Sequence, residues 1–277
     1  MTPVFRGSLI FITAAVAGIT ACEKVIDIDL NSTNPRIVVE GYITDQPGPY
    51  TVKLTRTANY FDVNEFDKVS GATVTISDDA GNSDVLAEQS PGVYETTAIQ
   101  GVSGRTYTLT IDSEDDTYTA SSLMSQPVMI DSLSFRFQEA FHYVQEGYYV
   151  SIYFTDVAEH LNYYLLRLYN NGEIPEEEMG GMGMNYLVFE DDFLEGESFE
   201  FEFFQYIMEP DDTIVVELVS MDQDGYDYYN TMNLTLEGSS GGGFSGTPQN
   251  PVTNMSGDAL GYFGAFTVAR DTVVIVE

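Results

Sequence analysis

Between residues 199 and 203 aromatic rings and carboxylates alternate without a break: Phe199, Phe201 and Phe203 are separated by Glu200 and Glu202. An α-helix, turning about 100° per residue, scatters such a pattern around its circumference, whereas an extended strand collects the three rings on one face and both carboxylates on the other. The segment predicts a strand that is buried on one side and wet on the other. Glu200 and Glu202 then belong to the outer face of a sheet and are not catalytic acids.

The same reading extends over most of the chain. Residues 36–43, 50–57, 71–77, 84–87, 92–96, 105–111 and 117–123 are short and rich in β-branched and aromatic residues, with turn-forming groups such as Gln46-Pro47-Gly48-Pro49, Asp79-Ala80-Gly81-Asn82 and Ser90-Pro91-Gly92 between them. Gln126-Pro127 marks a seam, because proline holds the residue before it extended and cannot donate to a ladder. Residues 130–137, 148–154, 163–169, 186–189, 198–207 and 213–220 form a second set, followed by strand-like composition at 257–269 and a closing strand at 272–276. With one cysteine in 277 residues there is no internal disulfide, so stability has to come from apolar burial, for which 43% hydrophobic residues suffice. The expected architecture is all-β: two tandem immunoglobulin-like or fibronectin-like sandwiches at 36–125 and 126–277, with one short helix at about 222–236.

The amino terminus gives an address. Arg6 is its lone charge, the 13 residues Leu9–Ala21 are apolar with small residues toward their end, and Cys22 follows directly. That run spans about 20 Å as a helix, short of the ~30 Å hydrocarbon layer, and reads as a cleaved lipoprotein signal peptide over 1–21. Lipid would sit on Cys22, with a tether over 22–35. Cleavage removes Arg6 alone among the charges and leaves nine basic against 44 acidic residues, a formal charge of −35. Such a field repels phosphate backbones and anionic head groups, which argues against nucleic-acid binding and leaves membrane attachment to the lipid. A single acyl chain holds marginally, so a multiply acylated cysteine is the anchor required. Seven of the nine cations lie between Lys24 and Arg136, and none lies between Leu168 and Ala269. The C-terminal half is acidic without local compensation.

Asp222 or Asp224 can cap the predicted helix, whose partly apolar stripe is Tyr226, Tyr229, Asn233 and Leu236. The spacing Asp222-x-Asp224-Gly225-x-Asp227 also matches part of a calcium loop, without its twelve-residue frame or terminal glutamate, and makes Asp222, Asp224 and Asp227 candidate calcium ligands. No other cofactor is expected. Candidate partner-facing residues are Tyr228 and Tyr229, large and amphipathic, together with Met182 and Met184 of a glycine-rich run. His142 and His160 read as packed or surface histidines. Nucleophile-elbow, zinc-protease, phosphate-loop and dinucleotide motifs do not occur, and the chain is not expected to be an enzyme.

The order of features resembles a family of outer-membrane lipoproteins from Bacteroidetes known as domain of unknown function 4249. The stretches that carry the likeness are Cys22–Ile28, Val38–Asp45, Val69–Val74 with Pro91–Tyr94, Asp227-Tyr228-Tyr229 and Gly261-Tyr262-Phe263-Gly264-Ala265, which together span nearly the whole mature chain. The resemblance implies an outer-membrane, lipid-anchored location on the periplasmic or cell-surface face, and the company of a TonB-dependent receptor, beside which such proteins are often encoded. It implies no catalytic residues. The expected function is that of a non-catalytic accessory or binding partner of a TonB-dependent transport system; the alternative is a cell-surface structural or adhesive module with calcium-binding acidic loops.

Overall fold

In the computed structural model, which describes residues 35–58, 66–113, 116–142, 144–157, 161–175, 186–191, 196–239 and 250–277, the alternation read from the sequence becomes an alternation of burial. The leader, Cys22, His160, Met182 and Met184 lie outside the described residues.

The first eight strands are β1 (Ile37–Thr44), β2 (Thr51–Arg56), β3 (Thr73–Asp78), β4 (Ser83–Val85), β5 (Ala87–Ser90), β6 (Val93–Glu95), β7 (Thr106–Ser113) and β8 (Asp116–Leu123). They form two sheets, β1-β2-β6-β5 and β4-β3-β7-β8. Val39, Val52, Leu54 and Tyr94 from the first meet Val74, Ile76, Leu109 and Ile111 from the second in one core. The second set comprises β9 (Ile130–Gln138), β10 (Gly147–Thr155), β11 (Tyr163–Asn170), β12 (Leu187–Glu190), β13 (Ser198–Glu202) and β14 (Thr213–Met221). Sheets β12-β11-β14 and β13-β10-β9 enclose another core around Ile152, Phe154, Tyr164, Leu166, Val216 and Leu218. The fold is mostly β and sandwich-like, with one helix among the described residues, α1 (Gln223–Ser239).

In β13, Phe199 and Phe201 pack on the second core, while Glu200 accepts from the Tyr153 hydroxyl at 2.6 Å and Glu202 pairs with Arg136 on the outer face. The strand stops at Glu202 and does not run to Ile207. Phe203 is fully buried and donates its N–H to the Val150 carbonyl at 2.9 Å, after which the chain turns.

The last strand departs from expectation. Residues 257–269 and 272–276 are not two segments of a second sandwich: Leu260–Val274 is one strand, β15, that belongs to both. Its first half runs parallel to β1, from Val38 opposite Leu260 to Thr44 opposite Phe266, and its second half runs antiparallel to β14, from Ser220 opposite Thr267 to Thr213 opposite Val274. Met255, Ala259, Phe263 and Ala265 accordingly lie in the first core. The close approach to β1 depends on Gly261, which has φ +90°; a Cβ there would stand 1.9 Å from the Val39 carbonyl oxygen. Arg270 and Asp271, which looked like a break, sit opposite Glu217 and Val216 in the ladder. One eight-stranded sheet, β12-β11-β14-β15-β1-β2-β6-β5, thus passes through both sandwiches, and residues 35–277 form one compact unit.

Candidate functional site

Because side chains alternate along β15, its odd-numbered residues Phe263, Ala265 and Ala269 fill the two cores, and its even-numbered residues Tyr262, Phe266 and Val268 face the other side of the shared sheet. Helix α1 covers part of that outer face. Tyr226 packs on Tyr163, with ring centroids 5.2 Å apart, and Tyr229 on Tyr186 at 4.9 Å. Asn233, 6% exposed, exchanges two hydrogen bonds with the Tyr186 backbone. Three members of the predicted stripe therefore face the sheet, and Leu236, near the end of the helix, is 37% exposed.

The helix starts where the sequence put its cap. Asp222 Oδ1 accepts from the Gly225 N–H at 3.0 Å, which satisfies one of the donors left open by the first turn. The same carboxylate reaches across the molecule: Oδ1 also accepts from the Tyr262 hydroxyl at 3.0 Å, and Oδ2 from the Ser122 hydroxyl at 2.8 Å and the Leu123 N–H at 2.9 Å. Of the two readings of this aspartate cluster, capping is what the geometry contains. Asp224 lies in the first turn, where burial and then the charges of Asp222 and Asp227 push its carboxyl up. Among the described residues no group of three or more His, Cys, Asp or Glu side chains is placed to hold a metal ion, so Asp222, Asp224 and Asp227 do not form a ligand cluster. His142 is exposed and packs edge-on against Phe141, with centroids 4.0 Å apart.

Beside α1 the outer face stays open as a cleft of about 510 Å³, between the helix and strands β1, β2, β11 and β15. Its rings form a near-parallel ladder: Tyr42 against Phe266 (6.3 Å, 28°), Phe266 against Tyr262 (6.3 Å, 18°), and Tyr262 against Tyr228 (5.0 Å, 15°). Gly264 is the gap that lets this ladder lie flat. A Cβ at that position would stand 2.1 Å from Phe266 Cζ and 2.7 Å from Tyr262 Cε1. Phe266 and Tyr262 are buried as the floor, and Tyr42 stands at the lip, 47% exposed. Burial, reinforced by Tyr229 and Tyr186, pushes the Tyr228 hydroxyl up to about 12, so it is a neutral donor at neutral pH.

The cleft also collects charge. Lys53 and Glu40 line it from directly opposed positions on β2 and β1. Arg167 enters from β11 and belongs to a cross-strand row, Arg167–Glu217–Arg270, set by the β11–β14–β15 register. Glu217, 4% exposed, is claimed from two sides: Arg270 donates Nε and Nη2 to Oε1, and the Tyr169 hydroxyl donates to Oε2 at 3.3 Å. Arg167 Nη1 is left 3.7 Å from Oε2, beyond hydrogen-bond length. Burial pulls the Arg167 guanidinium down, but Tyr229, Tyr169 and Glu217 outweigh it and keep the side chain charged. Two arginines thus share one carboxylate. A smaller hollow of about 350 Å³ in the first sandwich has no such surplus, since its Arg105 pairs with Asp78 at 2.7 Å.

Of the predicted partner-facing residues, Tyr228 and Tyr229 line this cleft. Sequence reasoning missed Tyr42, Phe266 and Arg167. Their signals were Gly264 between two aromatic residues, and the two cations, Arg167 and Arg270, that bracket the cation-free stretch and converge on one glutamate.

A family model described as "Domain of unknown function (DUF4249)" matches residues 23–272. No curated protein matches the chain. Among solved structures it is similar to a two fibronectin type-III domain segment from chicken tenascin, at 14% identity over 68% of this chain and 91% of that one, with a TM-score of 0.21.

Proposed function

The chain belongs to the DUF4249 family, a domain of unknown function, and from that premise we propose that it is a non-catalytic binding lipoprotein of the outer membrane, an accessory partner of a TonB-dependent transport system. The observation that carries the binding part is the aromatic cleft: about 510 Å³ falls within the range of small-ligand sites, roughly 300–1,000 Å³, and combines apolar floor, hydroxyl rim and a few charges. The leader ending at Cys22 supports the anchor, and the charge of −34 is in keeping with attachment through lipid and not through a basic patch. In this reading α1 and β15 hold the cleft in shape while the tether holds the body at the membrane.

The test is purification of the full chain from its own membranes in mild detergent, with mass spectrometry of both the amino terminus and the co-purifying proteins. The expected result is an acylated Cys22 and a large outer-membrane barrel in the same fraction. An unmodified sulfur removes the anchor, and a chain that consistently purifies alone removes the transport partnership. A melting temperature raised by millimolar calcium would shift the reading to the calcium-dependent adhesive module, because a ligand bound only by the folded state must stabilise it.

A further inference from the structure

The arrangement around Arg167 narrows what the cleft can hold. Glu217 has both oxygens engaged by Arg270 and Tyr169, so among the described residues the Arg167 guanidinium has no carboxylate at hydrogen-bond length. On the helix side it hydrogen-bonds the neutral hydroxyl of Tyr229, which leaves its charge balanced only by Glu217 at 3.7 Å. A half-buried guanidinium that faces a cleft in this way favours an anionic ligand group, and its planar donors suit a carboxylate. The field of the whole chain, −34, disfavours ligands of higher negative charge.

The rest of the lining describes the body of that ligand. Tyr42 offers a half-exposed ring at the lip, backed by the buried Phe266. The rim is polar, with the Tyr186 and Tyr228 side chains and the Glu40 carboxylate turned to the same space. An aliphatic or aromatic acid would cover the floor but leave those rim groups without partners, which costs binding free energy. A pyranose ring answers both, since one face is a sheet of C–H bonds and its edge is a ring of hydroxyls.

Resting on the cleft as the binding site, we infer that its ligand is an acidic sugar, a uronic acid unit within a short oligosaccharide, with its carboxylate on Arg167 and its apolar face on the Tyr42 ring.

The experiment is calorimetric titration of the full chain in detergent with three probes: an acidic trimer of two galactose units and one galacturonic acid unit, the neutral trimer galactotriose, and the tripeptide Gly-Gly-Phe. Wild type is expected to bind the acidic trimer at least about tenfold more tightly than the neutral one. Arg167→Met abolishes that preference, Arg167→Lys restores part of it, and Tyr42→Ala weakens binding of the acidic trimer about tenfold while leaving the melting curve unchanged, because the side chain is half exposed. Equal binding of the two trimers, or binding of the tripeptide without the acidic trimer, overturns the sugar acid and leaves the cleft as a site. Absence of binding by the acidic trimer at millimolar concentration overturns it as well. Binding of any probe that is indifferent to both Tyr42→Ala and Arg167→Met places the site elsewhere, and the reading beneath this one fails with it.

Discussion

Asp222 is the residue on which most of the architecture converges. One carboxylate caps α1, holds the end of β8 through Ser122 and Leu123, and receives the hydroxyl of Tyr262 from the cleft. Losing a cap costs about 1 kcal/mol, and leaving partly buried donors without an acceptor adds about 1–3 kcal/mol, so Asp222→Ala should destabilise by about 2–4 kcal/mol. At about 2–4 °C per kcal/mol for a chain of this size, thermal melting should show a drop of about 5–15 °C. Asp222→Asn, which still caps but accepts with only one oxygen, should fall between. An alanine variant melting within a degree of wild type would contradict the role. The cap was legible in the sequence because capping is local. The contacts to Ser122 and Leu123 were not, since pattern reading sees only neighbours within a turn or a strand, and these partners are about 100 residues away.

At the scale of elements, the ends of β10 and β12 bring two buried carboxylates together. Burial lifts Asp156, but hydrogen bonds from the Tyr164 hydroxyl and the Gly196 N–H outweigh it and leave its pKa lowered. Burial likewise lifts Asp191, and with Asp156 beside it the donors of Asn162 do not bring it back, so Asp191 is the member whose pKa is raised. The signs are opposite. An acid whose folded pKa is raised contributes stability below its usual value of 3.8 and loses it as pH rises through the folded value; Asp156 contributes above 3.8 and loses its share as pH falls. Asp191→Asn carries a permanent donor in place of the titrating acid. Its melting temperature should therefore lack the decline that wild type shows as pH rises above 3.8, while the loss on acidification below it remains. Parallel pH profiles for the two proteins would contradict the raised pKa of Asp191. Alternation made most strands and their faces readable, from Phe199 and Phe201 on β13 to Tyr163 and Tyr164 on β11, but it did not reveal that β15 changes partners at Thr267. Leu260–Phe266 and Thr267–Val274 carry the same period, and nothing in a period of two says which neighbour a strand will find.

For the whole molecule, β15 makes the first sandwich incomplete without the carboxyl terminus. Met255, Ala259, Phe263 and Ala265 belong to its core, and β1 has no second neighbour until β15 arrives. Residues 35–125 expressed alone should show no cooperative melt by circular dichroism; a melt like that of the full chain would make the two sandwiches independent. The same joint creates the cleft, from side chains as far apart in sequence as Tyr42, Arg167, Tyr228 and Phe266. Tyr228 and Tyr229 could be picked out as amphipathic residues on a predicted helix, whereas Arg167 gains its meaning only from the register that sets Glu217 between two arginines. The most direct test of the cleft as the ligand site is photo-crosslinking in intact cells, with a photoreactive side chain in place of Tyr42 or, as a control of similar exposure, Phe137, which are 47% and 51% exposed. An adduct is expected from position 42 that is absent from position 137 and lost with Arg167→Met; the same products from both positions, or an adduct at 42 that survives Arg167→Met, would place the ligand elsewhere.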